Sequence, residues 1–137
     1  MLQVLEQTIE SAYRVFQPKP EDRCGQRERV RAVQAAIAAR FTEDLNLEDL
    51  AAEFGYSPYY LCRIFRKYSG TSIHQYLTQI RLRTAIEWIE DGLNNLTELA
   101  LRLGFSSHSH FTMSFRKTFG APPSRIHEIP LRAYLKN

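Results

Sequence analysis

The sequence contains an internal repeat, which restricts the fold more than any other feature of the chain. A shift of 49 residues aligns 46–57 with 95–106, and six of the twelve aligned positions are identical. One extra residue then enters the second copy, so a shift of 50 residues aligns 65–67 with 115–117, which are Phe-Arg-Lys in both copies. A repeat of this kind indicates that the chain is built from two similar structural units.

Each copy of the repeat predicts two helices joined by a turn. Asn46 and Asn95 are residues that favour the N-cap of a short helix, and each short helix stops at a glycine. A second helix with basic residues follows in each copy and stops at another glycine. A short helix, a turn and a second helix form the helix-turn-helix pattern. We therefore expect helix-turn-helix units at about 46–70 and 95–120.

The remaining sequence indicates an all-α fold. No stretch has the sustained alternation of apolar and polar residues that predicts a β-strand. Residues 73–90 contain neither Pro nor Gly and keep apolar residues at helical spacing, so we expect one long helix that links the two units. A further helix is expected from Arg27 to Phe41.

The two ends of the chain are expected to lie outside this helical domain. Residues 2–16 place apolar side chains three and four apart, which predicts an amphipathic helix, and a Pro-containing linker follows to residue 24. The apolar stripe must be covered, either by packing on a neighbouring surface or by weak dimerisation through residues 2–16. Residues 129–137 are expected to form a loose tail.

The distribution of charge is more informative than the net charge of +3. No acidic residue occurs from Phe54 to Ile86 or from Leu99 to His127, whereas both segments contain several arginines. Acidic residues cluster on either side of the first basic zone, within 43–53 and within 87–98. Two basic zones that coincide with the two repeats favour surfaces that meet a polyanion.

Length and composition exclude several classes of protein. A chain of 137 residues fits one domain with short appendages. Its longest apolar run is five residues, far short of the roughly 20 that a membrane span requires. The first residues include Glu6 and Glu10 and lack the basic character of a secretory signal. Cys24 and Cys62 are isolated, as in a reducing cytoplasm. We therefore expect a cytoplasmic protein and no membrane contact.

The second helix of each repeat divides into two faces. The inner face is the set of apolar residues at helical spacing, which we expect to enter a core, and the outer face is its complement. These outer faces include Tyr59, Cys62 and Met113, residue types that a helix surface does not need for solubility. The predicted inner faces are Leu61, Ile64, Phe65 and Tyr68 in the first repeat, and Phe111, Ser114, Phe115 and Thr118 in the second.

An outer face of this kind suits the major groove of DNA. An arginine can form two hydrogen bonds with guanine, and apolar groups can contact the thymine methyl group. The alternative is an ordinary helix surface, which the duplication disfavours. We expect the base-reading residues to be Tyr59, Cys62 and Arg63 in the first repeat, and Ser109, Thr112 and Met113 in the second.

A second set of residues is expected to contact DNA phosphates. Basic pairs recur at the end of each outer-face helix, and three helix starts offer free backbone N–H groups. Such contacts position a protein on DNA without specifying the sequence. The expected phosphate-contacting residues are Arg66, Lys67, Arg116 and Lys117, with the helix starts at Ser57, Ser72 and Ser106.

Three motifs resemble the AraC/XylS family of transcription regulators. Residues 55–67, GYSPYYLCRIFRK, resemble the first helix-turn-helix of that family. Residues 104–111, GFSSHSHF, with the later FRK and GAPPS at 120–124, resemble its C-terminal motif. Tyr76-Leu77, Arg81-Leu82 and Ala85 are similar to its linking helix. The resemblance covers about residues 27–128.

This resemblance implies a fold and a function. It implies a seven-helix domain over residues 25–128, with two helix-turn-helix subdomains joined by one long helix, and a structural Arg81 held as an ion-pair partner. It also implies a sequence-specific regulator of double-stranded DNA that usually activates transcription, often by touching RNA polymerase. The family usually has Arg where this chain has Met113 and His127. Many members carry a sensing domain before the DNA-binding domain.

Other functions have less support. The main alternative is an all-α protein–protein adaptor whose basic faces meet acidic partners. An enzyme is not expected, because the sequence has no Ser-His-Asp elbow, no phosphate-binding glycine loop and no HExxH motif. His108 and His110 lie two residues apart without a third ligand, so we expect no metal and no cofactor. On DNA we favour a monomer.

Overall fold

The computed structural model describes residues 23–129, and within them it contains six α-helices, one 3-10 helix and no strand. The all-α prediction is confirmed. The predicted amphipathic helix at 2–16, most of its linker and all of the predicted tail except Ile129 fall outside the described residues. The helices are α1 (Arg23–Ala39), α2 (Leu47–Glu53), α3 (Pro58–Ser69), α4 (Ile73–Glu90), α5 (Leu96–Arg102), α6 (His108–Phe119) and the 3-10 helix Pro123–Glu128.

Local sequence signals explain where the short helices begin. The Asn46 side chain accepts hydrogen bonds from the backbone N–H groups of Glu48 and Asp49, at 2.7 and 3.4 Å. Asn95 caps α5 in the same way, with the N–H of Glu98 at 3.2 Å. These bonds satisfy N–H groups that have no partner within the helix. Both predicted asparagine caps are confirmed.

The described chain divides into two compact units, each with one copy of the repeat. Unit 1 contains residues 23–39 and 45–75, and unit 2 contains residues 40–44 and 76–129. In unit 1, α3 packs against both α1 and α2. In unit 2, α6 packs against α5 and the 3-10 helix. The long helix α4 begins in unit 1 and continues into unit 2.

Each unit has its own apolar core, and the second helix of each repeat supplies its largest side chains. Phe65 in α3 and both Phe111 and Phe115 in α6 are fully buried. Burial of a side chain of this size contributes about 1.5–3 kcal/mol. Unit 1 adds Val30, Val33, Ile37, Leu50, Leu61 and Ile64, and unit 2 adds Leu82, Ala85, Ile86, Leu99, Leu103, Phe105 and Ile126.

Arg81 is buried in unit 2. The sequence predicts that it forms an ion pair within its own helix. Instead, its guanidinium donates hydrogen bonds to the backbone carbonyls of Phe41 and Glu43, at 2.7 and 2.9 Å. It also lies over the Phe105 ring, 5.7 Å from the ring centroid. Burial lowers the pKa of Arg81, and the nearby Asp44 carboxylate opposes this effect. Arg81 therefore fixes residues 41–43 to unit 2 through main-chain acceptors.

The turn after α5 requires glycine at position 104, and Arg81 is one of the reasons. Gly104 has a φ of +89°, a conformation that L side chains rarely adopt. A Cβ atom there would lie 2.7 Å from Arg81 Nη2 and 2.8 Å from the Thr42 carbonyl oxygen. Glycine is thus required at this position for two reasons: the positive φ of the backbone and the close approach of the Arg81 guanidinium.

Candidate DNA-binding surface

The sequence of α3 fixes which of its sides is buried. Ser57 accepts a hydrogen bond from the Tyr60 N–H at 3.2 Å and begins the helix, with Pro58 in its first position. The predicted inner face is confirmed, because Leu61, Ile64 and Phe65 are buried and Tyr68 is half-buried. The opposite side of α3 is consequently left to solvent.

The structure brings the predicted base-reading residues of the first repeat together on that open side. Tyr59 is 64% exposed, and Cys62 and Arg63 are also exposed. Arg66 continues the same outer face by one turn, and Lys67 follows it in the last turn. A flat aromatic ring, a small side chain and an arginine fork thus share one exposed helix face, a combination suited to base edges in a major groove.

Cys62 is exposed, yet one side of its thiol is covered by the protein. This burial raises the pKa of the Cys62 thiol above its usual value. A raised pKa lowers the fraction of reactive thiolate at neutral pH.

The second helix of the second repeat, α6, begins one residue later than expected. Ser106 is the predicted start of this helix and a predicted phosphate contact. Ser107, not Ser106, is the N-cap, and its hydroxyl accepts from the His110 N–H at 3.1 Å. The Ser106 hydroxyl lies 3.3 Å from Nδ1 of His110 instead. The extra residue of the second repeat copy falls before the cap, which explains the shift.

The outer face of α6 agrees with the prediction at two positions and departs from it at a third. Ser109 and Met113 are exposed, with Met113 at 72%. Thr112 is half-buried, and its hydroxyl is enclosed with no hydrogen-bond partner within residues 23–129. In this structure the Thr112 hydroxyl faces the protein rather than solvent, and base reading by Thr112 stays a prediction.

The buried side of α6 is rotated relative to the prediction. Three phenylalanines four residues apart, Phe111, Phe115 and Phe119, form a chain of ring contacts with centroid distances of 5.8 and 4.7 Å. Because they define the packed side, Thr112 next to them turns inward. Thr118, predicted to face the core, is exposed.

A shallow, open depression lies on α6. It includes the exposed His110, which sequence reasoning did not place among the base-reading residues. His110 is exposed, and its ring packs edge-on to Phe105 at 5.5 Å. The spacing of the three phenylalanines was the signal that could have identified this face. The depression is lined by His110, Met113, Ser114, Arg116 and Lys117.

The predicted phosphate-contacting residues lie at helix ends as expected, Ser106 excepted. Arg66 and Lys67 close α3, and Arg116 and Lys117 close α6, all of them exposed. Ser72 begins α4 in a reciprocal pair with Gln75, in which each side chain accepts from the other residue's N–H at 3.1 Å. This arrangement is a capping box.

Neither a metal centre nor a membrane segment is found in the part of the chain that the structure describes. No group of three His, Cys, Asp or Glu residues in 23–129 could hold a metal ion. No helix in that range is both long and apolar enough to cross a bilayer.

Two helix-turn-helix units, each with an exposed basic helix, define a DNA-binding protein. A family model described as a helix-turn-helix domain matches residues 50–128, more than half of the chain. The chain belongs to the AraC/XylS family of transcription regulators.

Known proteins with related sequences and structures agree with this assignment. PocR, a regulatory protein of Salmonella typhimurium, is 34% identical over 87 residues, which are 64% of this chain and 29% of PocR. RhaS, a transcriptional activator of Pectobacterium atrosepticum, is 28% identical over 125 residues, which are 91% of this chain and 43% of RhaS. The chain therefore spans less than half the length of these two curated relatives.

A solved protein–DNA complex supplies a structural relative. The DNA-binding domain of AdpA, in complex with a target DNA, is similar to this chain with a TM-score of 0.67 and 27% sequence identity. The match covers 72% of this chain and 89% of the AdpA chain.

Proposed function

We propose that residues 25–128 act as one domain with two reading units, which insert α3 and α6 into adjacent major-groove segments of double-stranded DNA. The observation that carries this proposal is the exposed outer face of α3, where Tyr59, Cys62 and Arg63 stand together. Adjacent major-groove faces on one side of a duplex recur about every 34 Å. The expected site is therefore bipartite and non-palindromic, with halves about one helical turn apart.

The two halves of this site are expected to differ in how strictly they are specified. Arg63 offers the guanidinium fork that pairs with O6 and N7 of guanine, a contact worth about 1–3 kcal/mol of discrimination. Met113 occupies the equivalent position in the second repeat and offers no hydrogen-bond donor. A thioether can only pack against a thymine methyl group or fill space. The first half-site should contain a required guanine, and the second should be degenerate.

The phosphate contacts supply affinity in this proposal. Arg66, Lys67, Arg116 and Lys117 are exposed at the helix ends, where they would neutralise phosphates and release condensed cations. The helix starts at Ser57, Ser72 and Ser106 remain candidates for backbone N–H contacts, although the cap of α6 is one residue further on. These groups orient the two recognition helices without selecting a sequence.

We further propose how the chain acts in the cell. It binds DNA as a monomer, with weak dimerisation through residues 2–16 as the alternative, and it works in the cytoplasm at the nucleoid. The activator name of RhaS and the family resemblance support activation, with RNA polymerase as the partner. The chain acts by binding rather than by catalysis, and it needs no cofactor.

Binding of the full chain to a duplex pool at increasing salt tests this function against a protein–protein adaptor. A DNA-binding protein loses affinity linearly on a log–log plot of binding constant against salt. Repeated selection from the pool should then enrich one bipartite sequence. Binding that selects no sequence, or salt-insensitive binding to a protein with no duplex retained, contradicts the proposal.

A further inference from the structure

A single glutamine in α1 holds both ends of the recognition helix α3. Gln26 Nε2 donates a hydrogen bond to the Tyr60 hydroxyl at 3.0 Å, and the Tyr68 hydroxyl donates to Gln26 Oε1 at 2.8 Å. Tyr60 lies in the first turn of α3 and Tyr68 in the last. Eight residues of helix separate them, about 12 Å along the axis at 1.5 Å per residue. One amide therefore connects the first and last turns of α3 to α1.

The surroundings of this amide keep the arrangement ordered. Tyr60 is only 7% exposed, and its ring packs against Tyr56 with a centroid distance of 5.1 Å. Arg29 in turn donates to the Tyr56 hydroxyl at 2.9 Å. A tyrosine hydroxyl is neutral at physiological pH, and burial raises the pKa of Tyr60 further. A neutral hydroxyl can accept the bond from Gln26 without a charge in the core.

The second repeat does not have this arrangement. The counterparts of Tyr60 and Tyr68, fifty residues later, are His110 and Thr118. Both are exposed, and neither offers a buried phenol. The connection through Gln26 is thus specific to the unit whose outer face carries Arg63.

We propose that Gln26 is a positioning residue, which fixes the orientation of α3 so that its outer face meets base edges in one register. Base discrimination depends on orientation more than non-specific binding does, because a bidentate arginine contact tolerates little displacement whereas a phosphate contact tolerates more. Gln26 itself touches no base in this proposal. The inference rests on the proposed function and adds to it a residue outside the helix-turn-helix.

The test compares two substitutions of Gln26 in the full chain. Gln26→Leu removes both hydrogen bonds, whereas Gln26→Glu supplies two carboxylate oxygens that can accept from both tyrosine hydroxyls. Gln34→Leu, a half-buried position on the same helix, is the matched control. Each variant is titrated with the selected duplex, with that duplex carrying another base pair in place of the first half-site guanine, and with an unrelated duplex.

We expect Gln26→Leu to reduce the preference for the guanine about tenfold, within the range that one bidentate contact supplies. Its affinity for the unrelated duplex should stay within about twofold, since phosphate contacts dominate there. Gln26→Glu should restore most of the preference, and Gln34→Leu should keep all of it. A merely structural role would lower binding to every duplex by the same factor and leave the preference unchanged.

Three results would overturn the proposal: a full guanine preference in Gln26→Leu, an equal loss on all duplexes, or no restoration in Gln26→Glu. If Gln26→Leu fails to fold, Tyr68→Phe removes one hydroxyl and keeps the ring, and the same preference is measured. A wild-type chain without sequence preference would refute the proposed function together with this inference. A wild-type chain that selects sequence, beside a Gln26→Leu variant that selects equally well, would refute the positioning role alone.

Discussion

Arg63 and Met113 occupy equivalent positions on α3 and α6, fifty residues apart, and both side chains are exposed. The two helices share a serine cap and a left-handed glycine at the end. The repeat therefore keeps the same helix but has a different exposed side chain at this position. Arginine brings five N–H donors, and methionine brings a polarisable thioether. The two units are thus similar in fold and different in the side chains that they expose at this position.

This difference makes Met113→Arg a gain-of-function substitution. The new guanidinium should tighten binding to duplexes with a guanine in the second half-site by about tenfold, the range of one bidentate contact. Met113→Ala should change binding less than about twofold. Selection of bound duplexes with each variant measures the effect, and a second half-site that stays degenerate with Met113→Arg would contradict it.

The lysines at the ends of the recognition helices should act on all sequences alike. Replacing Lys67 or Lys117 with alanine should weaken selected and unrelated duplexes by the same factor and reduce the salt slope by about one unit. Arg31→Ala, an exposed position on α1, serves as the control. A change in sequence preference after Lys67→Ala would mean that this lysine contacts a base.

The two cysteines give an internal probe of the DNA-facing surface. Both Cys24 and Cys62 are exposed and free, but only Cys62 lies on the outer face of α3. Because burial raises the pKa of the Cys62 thiol, alkylation should be followed at mildly alkaline pH. The selected duplex should slow modification of Cys62 by at least about tenfold and leave Cys24 unchanged. Equal protection of both thiols, or of neither, would place DNA elsewhere.

The turn at Gly104 should be far less tolerant than its counterpart Gly55. Both have positive φ, but a Cβ at Gly55 meets no atom within 4 Å, whereas at Gly104 it meets Arg81 and a carbonyl oxygen. Gly55→Ala should cost about 1 kcal/mol of folding free energy, and Gly104→Ala about 3 kcal/mol or more. Urea unfolding measures both values. Equal costs would show that both Arg81 and the Thr42 carbonyl move aside without penalty.

Local signals made most of the helices predictable from the sequence. Asparagine and serine caps, Pro58 at the first position of α3 and closing glycines fixed the helix limits within a few residues. The inner face of α3 followed from apolar residues at helical spacing. These signals depend on neighbours in sequence, so they need no knowledge of tertiary packing.

Tertiary contacts decided what the sequence could not show. The three aligned phenylalanines define the buried side of α6, and the Thr112 hydroxyl is also enclosed. Arg81 bonds to main-chain carbonyls of a segment about forty residues away, and no side-chain pattern predicts such a partner. The role of Gln26 depends on α1 packing on α3, which the repeat itself does not include.

The most direct test of the central claim is selection from a random duplex pool, carried out in parallel with the wild-type chain and Arg63→Ala. The account predicts a bipartite site for the wild type, with a required guanine in one half, a degenerate second half and a separation of about one helical turn. Arg63→Ala should lose only that guanine and keep the rest of the site. A palindromic site, a single short patch, or more sequence information in the second half than in the first would contradict the account.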